Sequence, residues 1–77
     1  MAATLKATWP AFEDMEFVSF AALVDGAPLA SSQLPGDATE AEFYAEHYPA
    51  STYTAHARGV TCVIPCGISE VQPGGGG

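Results

Sequence analysis

Phe17-Val18-Ser19-Phe20-Ala21-Ala22-Leu23-Val24 is the stretch on which the fold of this chain turns. Read as a strand, it is apolar on both faces, whereas a strand with one face in water alternates apolar and polar residues. Read as a helix, it has a serviceable start and stop. Pro10 suits the first helical position, Glu13, Asp14 and Glu16 suit the first turn, and Gly26 suits the C-terminal cap. Phe17, Phe20, Ala21 and Val24 even share one helical face. Val18, Ala22 and Leu23 then fall on the others, and a helix apolar nearly all round must be buried all round. A chain of 77 residues has little with which to bury it. We therefore read a strand. Val60-Thr61-Cys62-Val63-Ile64 is a second run apolar on both faces. So short a chain cannot cover both faces of a sheet, so we expect another molecule to cover one.

Working outward, Thr4 to Trp9 alternates cleanly, with Leu5, Ala7 and Trp9 on one side and Thr4, Lys6 and Thr8 on the other. This predicts a strand with one wet face, ended by Pro10. Ala11 to Glu16 reads as a loop. Asp25-Gly26 is a turn signal. Ala27 to Gly36, with two prolines, reads as an extended loop with a short strand around Leu29. Thr39 to Tyr48 predicts a helix. Thr39 and Glu42 form a capping-box pattern, Ala41, Tyr44, Ala45 and Tyr48 form one apolar stripe, and Pro49 stops it. Ser51 to Arg58 alternates again. Gly59 makes either a hairpin or a bend in one long strand, and Pro65 and Gly67 end the pairing. The expected fold class is α+β: a small β-rich single domain over 1–72, with about four antiparallel strands and one short helix near 39–48. A glycine-rich tail over 73–77 follows.

Charge narrows the company this chain keeps. Lys6 and Arg58 are the only lysine and arginine against nine carboxylates, a net charge of -7. Phosphate binding needs several such cations, which argues against direct nucleic-acid contact and against an anionic membrane surface. A hydrophobic fraction of 48% excludes wholesale disorder. No run approaches the roughly 20 apolar residues of a membrane span. The first residues hold one lysine and no apolar core, so no secretory signal peptide is expected. Two cysteines make no disulfide framework, which points to a reducing compartment, cytoplasmic or virion-associated.

The residues with chemistry to offer are sparse. His47, His56, Cys62 and Cys66 equal in number a structural zinc set, but their spacing lacks tight ligand pairs. Cys62 and Cys66 are four apart rather than three, and no helix N-terminus follows to lower a thiol pKa. Cys62 reads as a small buried hydrophobe. Glu40, Glu42, Glu46 and His47 would share a solvated helix face rather than form an acid–base pair. No catalytic, metal or cofactor residue is therefore expected, nor a small-molecule substrate. Phe43 points away from the helical stripe, which would leave it exposed as an interface anchor unless a loop folds over it. With the two-faced runs, this marks Phe43, Phe17, Phe20, Leu23 and Val63 as expected interface residues.

These readings predict a non-enzymatic structural or assembly protein whose apolar sheet faces are completed by copies of itself or by a larger protein. A phage virion component, a capsid decoration or tail protein, fits that description. The alternative is an acidic, phage-encoded inhibitor that mimics nucleic acid. Such a mimic gathers Glu13, Asp14, Glu16, Glu40, Glu42 and Glu46 on one face.

Overall fold

A computed structural model describes residues 2–71, and the tail expected over 73–77 lies outside the described residues. The described chain is all-β, with seven strands in two antiparallel sheets and no helix, which overturns the expected α+β class. The strands are β1 (Ala3–Thr8), β2 (Phe17–Val24), β3 (Ala27–Pro35), β4 (Glu40–Ala45), β5 (Tyr53–Arg58), β6 (Val63–Pro65) and β7 (Gly67–Glu70). One sheet has the order β4-β1-β7 and the other β3-β2-β5-β6.

The alternating strands fold as their patterns predict. Leu5 and Ala7 of β1, Trp9 beyond it, and Ala55 and Ala57 of β5 are buried. Within β2, Val18, Phe20 and Ala22 point into the core, while Phe17 and Ser19 are exposed and Ala21 and Leu23 half-buried. Aromatic rings tie the layers together. Trp9 stacks on Phe20 at 5.8 Å, Phe20 meets Phe43 at 6.0 Å, and Phe43 meets Tyr53 at 6.4 Å. Five of the ten core residues are alanines, Ala7, Ala22, Ala45, Ala55 and Ala57. Much of the interior is therefore filled by few atoms.

The largest correction is the expected helix. Glu40–Ala45 is a strand paired with β1 over its whole length, from Ala3↔Ala45 to Thr8↔Glu40. The segment satisfies two periods at once. Its helical stripe is Ala41, Tyr44, Ala45 and Tyr48; its strand face is Ala41, Phe43 and Ala45. Pairing decides between them. The strand completes one edge of β1 and buries the wholly apolar Phe43 opposite Leu5. The helix would have buried the polar hydroxyl of Tyr44, and ten isolated residues are too few for a stable helix in any case.

Other expectations shift with it. Ala27–Pro35 is a nine-residue strand rather than a loop, joined to β2 through Asp25-Gly26. Both turn residues have positive φ, 49° and 84°, the backbone of a two-residue type I′ hairpin. The alternative at Gly59 resolves to a hairpin, since β5 pairs with β6 and Gly59 N–H donates to the Cys62 carbonyl at 2.8 Å. Pro65 and Gly67 do not end the pairing: the chain crosses at Cys66 to the other sheet, where β7 pairs with β1. Cys62 is exposed in the hairpin turn, not buried.

Candidate functional site

The outer face of the four-stranded sheet is built from the outward positions of β2 and their cross-strand partners. Ser19 lies between Gln33 and Arg58, and Ala21 between Ser31 and His56. Small residues on the central strand and longer ones on its flanks make a trough. Its floor is Ser19 and Ala21, one wall is His56 and Arg58, and the other is Ser31 and Gln33. It is an open depression of about 660 Å³ that continues past Ala21 and His56 into a second open hollow of about 360 Å³ beside Leu23, Pro28 and Leu29. Phe17, 55% exposed and paired with Pro35, stands at one end of this face. Leu23 stands at the other, paired with Pro28 and Thr54. Val63, 51% exposed, lies opposite Arg58 on β6.

No outward position of β2, β3, β5 or β6 holds a carboxylate. The acids lie elsewhere. Glu40 and Glu42 project from the outer face of the three-stranded sheet, where Lys6 pairs across to Glu42 and its Nζ stands 3.8 Å from Glu40. Glu13, Asp14 and Glu16 occupy the β1–β2 loop, at the end of the sandwich where β4 begins. Glu46 follows the far end of β4, a strand's length away, beside His47 at 4.0 Å. Among the described residues Arg58 has no carboxylate partner.

Of the residues expected at an interface, Phe17, Leu23 and Val63 share this one face. Phe20 and Phe43 do not: they are 2% and 6% exposed and belong to the core. Arg58, Ser19, Ala21 and Gln33 carry no interface expectation from the sequence, and His56 is weighed there only as a zinc ligand. Arg58 had a visible signal, being one of only two Lys or Arg residues on an alternating strand. The trough had none, because it depends on which strands flank β2.

The soft ligands are dispersed. His47 follows β4, its backbone N–H donating to the Tyr53 hydroxyl, while Cys62 lies in the β5–β6 turn at the opposite end of β5. Among the described residues no three His, Cys, Asp or Glu side chains converge as a metal site. Burial pushes the Cys66 thiol up, which holds it in the protonated, poorly nucleophilic form. No helix of the described residues is long and apolar enough to cross a membrane. Comparison with known proteins gave no match to a family model, to a curated protein or to a solved structure.

Proposed function

We propose that this chain is a non-enzymatic assembly module that docks a protein through the outer face of its four-stranded sheet. The supporting observation is the charge pattern. In a chain of net charge -7, this face has no carboxylate and keeps Arg58 unpaired among the described residues, and it sets Phe17, Leu23 and Val63 around a trough floored by Ser19 and Ala21. Apolar anchors around a groove, with one uncommitted cation, suit an extended segment of a protein that offers a carboxylate. A repeating lattice, such as a virion shell or tail, is the setting we assign to it. The nucleic-acid mimic is the weaker reading. Glu13, Asp14 and Glu16 lie at one end, Glu46 at the other, and Lys6 stands between Glu40 and Glu42. That distribution lacks the single acidic face a mimic needs.

The test is native mass measurement of the chain alone and after recovery from its source, for wild type and for Ala21→Arg. An arginine at 21 fills the trough without entering the core. A complex of defined stoichiometry that forms with wild type and is lost in a folded Ala21→Arg supports the assignment. The same recovered partner with both proteins, or no recovered partner with either, overturns it, whatever the oligomeric state of the chain alone.

A further inference from the structure

The two sheets end in four edges, and three are protected among the described residues. β6 and β7 are short, three and four residues, and β4 carries Glu40 and Glu42. The fourth, β3, is the longest strand, has no charged residue, and is exposed at every position but Leu34. Its hydrogen-bonding direction follows from the structure. Gly36 N–H donates to the Glu16 carbonyl at 2.9 Å, so it points toward β2. Direction alternates along a strand, so Leu34 and Ser32 also point toward β2, while Pro35, Gln33 and Ser31 point to the open edge. Starting from the hairpin gives the same answer. Val24↔Ala27 flanks a two-residue turn and is a hydrogen-bonded pair, which sends Pro28 outward. The bulge at Leu29, where Ala22 pairs Ala30 and Leu23 pairs Pro28, brings the two counts into phase. Both prolines thus aim their missing N–H at the edge. Between them Ser31 and Gln33 offer free N–H and C=O groups.

That window is complementary to itself. We propose that two copies of this chain pair antiparallel through β3 about a two-fold axis at Ser32, joining their four-stranded sheets into one. Ser31 of each copy then faces Gln33 of the other, each pair exchanging both N–H···O bonds. Ala30 faces Leu34 on the inner side and covers the half-buried leucine. Ser32 meets Ser32 at the axis as a close, non-hydrogen-bonded pair. Pro28 and Pro35 bound the window and stop the pairing from spreading into an open stack. Charge selects a second copy over a charged strand, because the window has no charge to match. Asp37 of one copy lies near Asp25 of the other only at the exposed margins, where salt screens them. The pairing deepens the assembly reading by naming the occupant of the edge; it borders the trough at its Ser31 and Gln33 wall and leaves the floor of Ser19 and Ala21 and the wall of His56 and Arg58 open.

The test places a cysteine at the axis. In a Cys62→Ser, Cys66→Ser background, Ser32→Cys brings two thiols together across a pair whose Cα separation, about 4.5 Å, accepts a disulfide. We expect oxidation to give a disulfide-linked dimer as the main product. Sedimentation of wild type should show a monomer–dimer equilibrium that tightens with added salt. Gln33→Pro removes an outward N–H, leaves the β2 ladder intact and should weaken dimerisation about tenfold or more. Ala21→Arg, which blocks the trough, should leave the crosslink unchanged, so the edge and the face fail separately. A wild type that stays monomeric at every concentration, a Ser32→Cys chain that does not crosslink, or a dimer indifferent to Gln33→Pro in a folded chain overturns the proposal. A monomer that instead binds a synthetic strand peptide at β3 also overturns it, in favour of a foreign strand.

Discussion

Phe43 and Tyr44 are neighbours with opposite fates, and the difference is one of period. A helix of 3.6 residues per turn buries Tyr44; a strand of period 2 buries Phe43. The structure gives 6% exposure to Phe43 and 59% to Tyr44. Phe43→Ala should therefore cost about 3–5 kcal/mol, the whole stability expected of so small a core, while Tyr44→Ala should stay within about 0.5 kcal/mol. Trp9, the only tryptophan and stacked on Phe20, is the fluorescent probe for the urea melts that compare them. Equal losses in the two variants would return the helix to consideration. Gly36 is a position the sequence alone did not mark. A Cβ there would collide with the backbone carbonyl of Met15, so Gly36→Ala should destabilise by about 1–3 kcal/mol despite its small size. An unchanged melt would show that the loop moves aside freely. The cysteines also divide by environment. Cys62 is exposed, and Cys66 is half-buried with its thiol pushed up, so an alkylating reagent near neutral pH should modify Cys62 first. Mass mapping of the modified peptide reads the order directly.

At the scale of elements, legibility followed the strength of the local pattern. β1 and β5 were readable because polar and apolar residues alternate without interruption. The fate of β2 was readable by exclusion, since no small chain buries an all-apolar helix. β4 was not, because Ala41 and Ala45 serve both periods and only β1 chooses between them. β3 was hidden for a related reason: Ser31, Ser32 and Gln33 carry no burial signal, and its strand character comes from pairing with β2. The Asp25-Gly26 turn is what delivers that pairing. Asp25 tolerates φ 49°, its N–H donates to the Thr52 carbonyl at 2.7 Å, and its Oδ1 accepts from Thr52 N–H at 2.9 Å. One side chain thus fixes the β2–β3 hairpin against the start of β5. Asp25→Ala loses both the side-chain acceptor and the tolerance of positive φ, and should cost about 1–2 kcal/mol. Asp25→Asn keeps both and should be nearly neutral. Chemical melts of the two variants separate them, and equal losses would locate the contribution in charge rather than in turn geometry.

At the scale of the whole molecule, a thin core meets an unbalanced charge. Half of the core residues are alanines, so the apolar area withdrawn from water is small for the number of residues ordered. Against this stands the mutual repulsion of nine carboxylates, of which Glu40 is close to Lys6 and Glu46 to His47. Those two pairs are exposed and contribute little. The remaining repulsion acts over distances comparable to the molecule, whose Cα extents are 38 × 31 × 16 Å. At about 0.01 M salt the Debye length is roughly 30 Å, so like charges at the two ends of the sandwich still sense each other; at about 0.1 M it is roughly 10 Å, and they do not. Unfolding relieves repulsion that salt would otherwise screen, so added salt should raise the melting temperature. For a chain of this size a gain of about 1 kcal/mol corresponds to about 4–8 °C. Sodium chloride is the suitable salt, since sulfate also strengthens hydrophobic burial and would confound the reading. Gln33→Pro supplies the control. If the rise persists in that variant, the repulsion acts within one chain. If it vanishes, salt was acting by driving β3 pairing. A melting temperature that falls with salt in both proteins would mean that attractive ion pairs outweigh the net charge, contrary to the exposed, sparse pairing seen here.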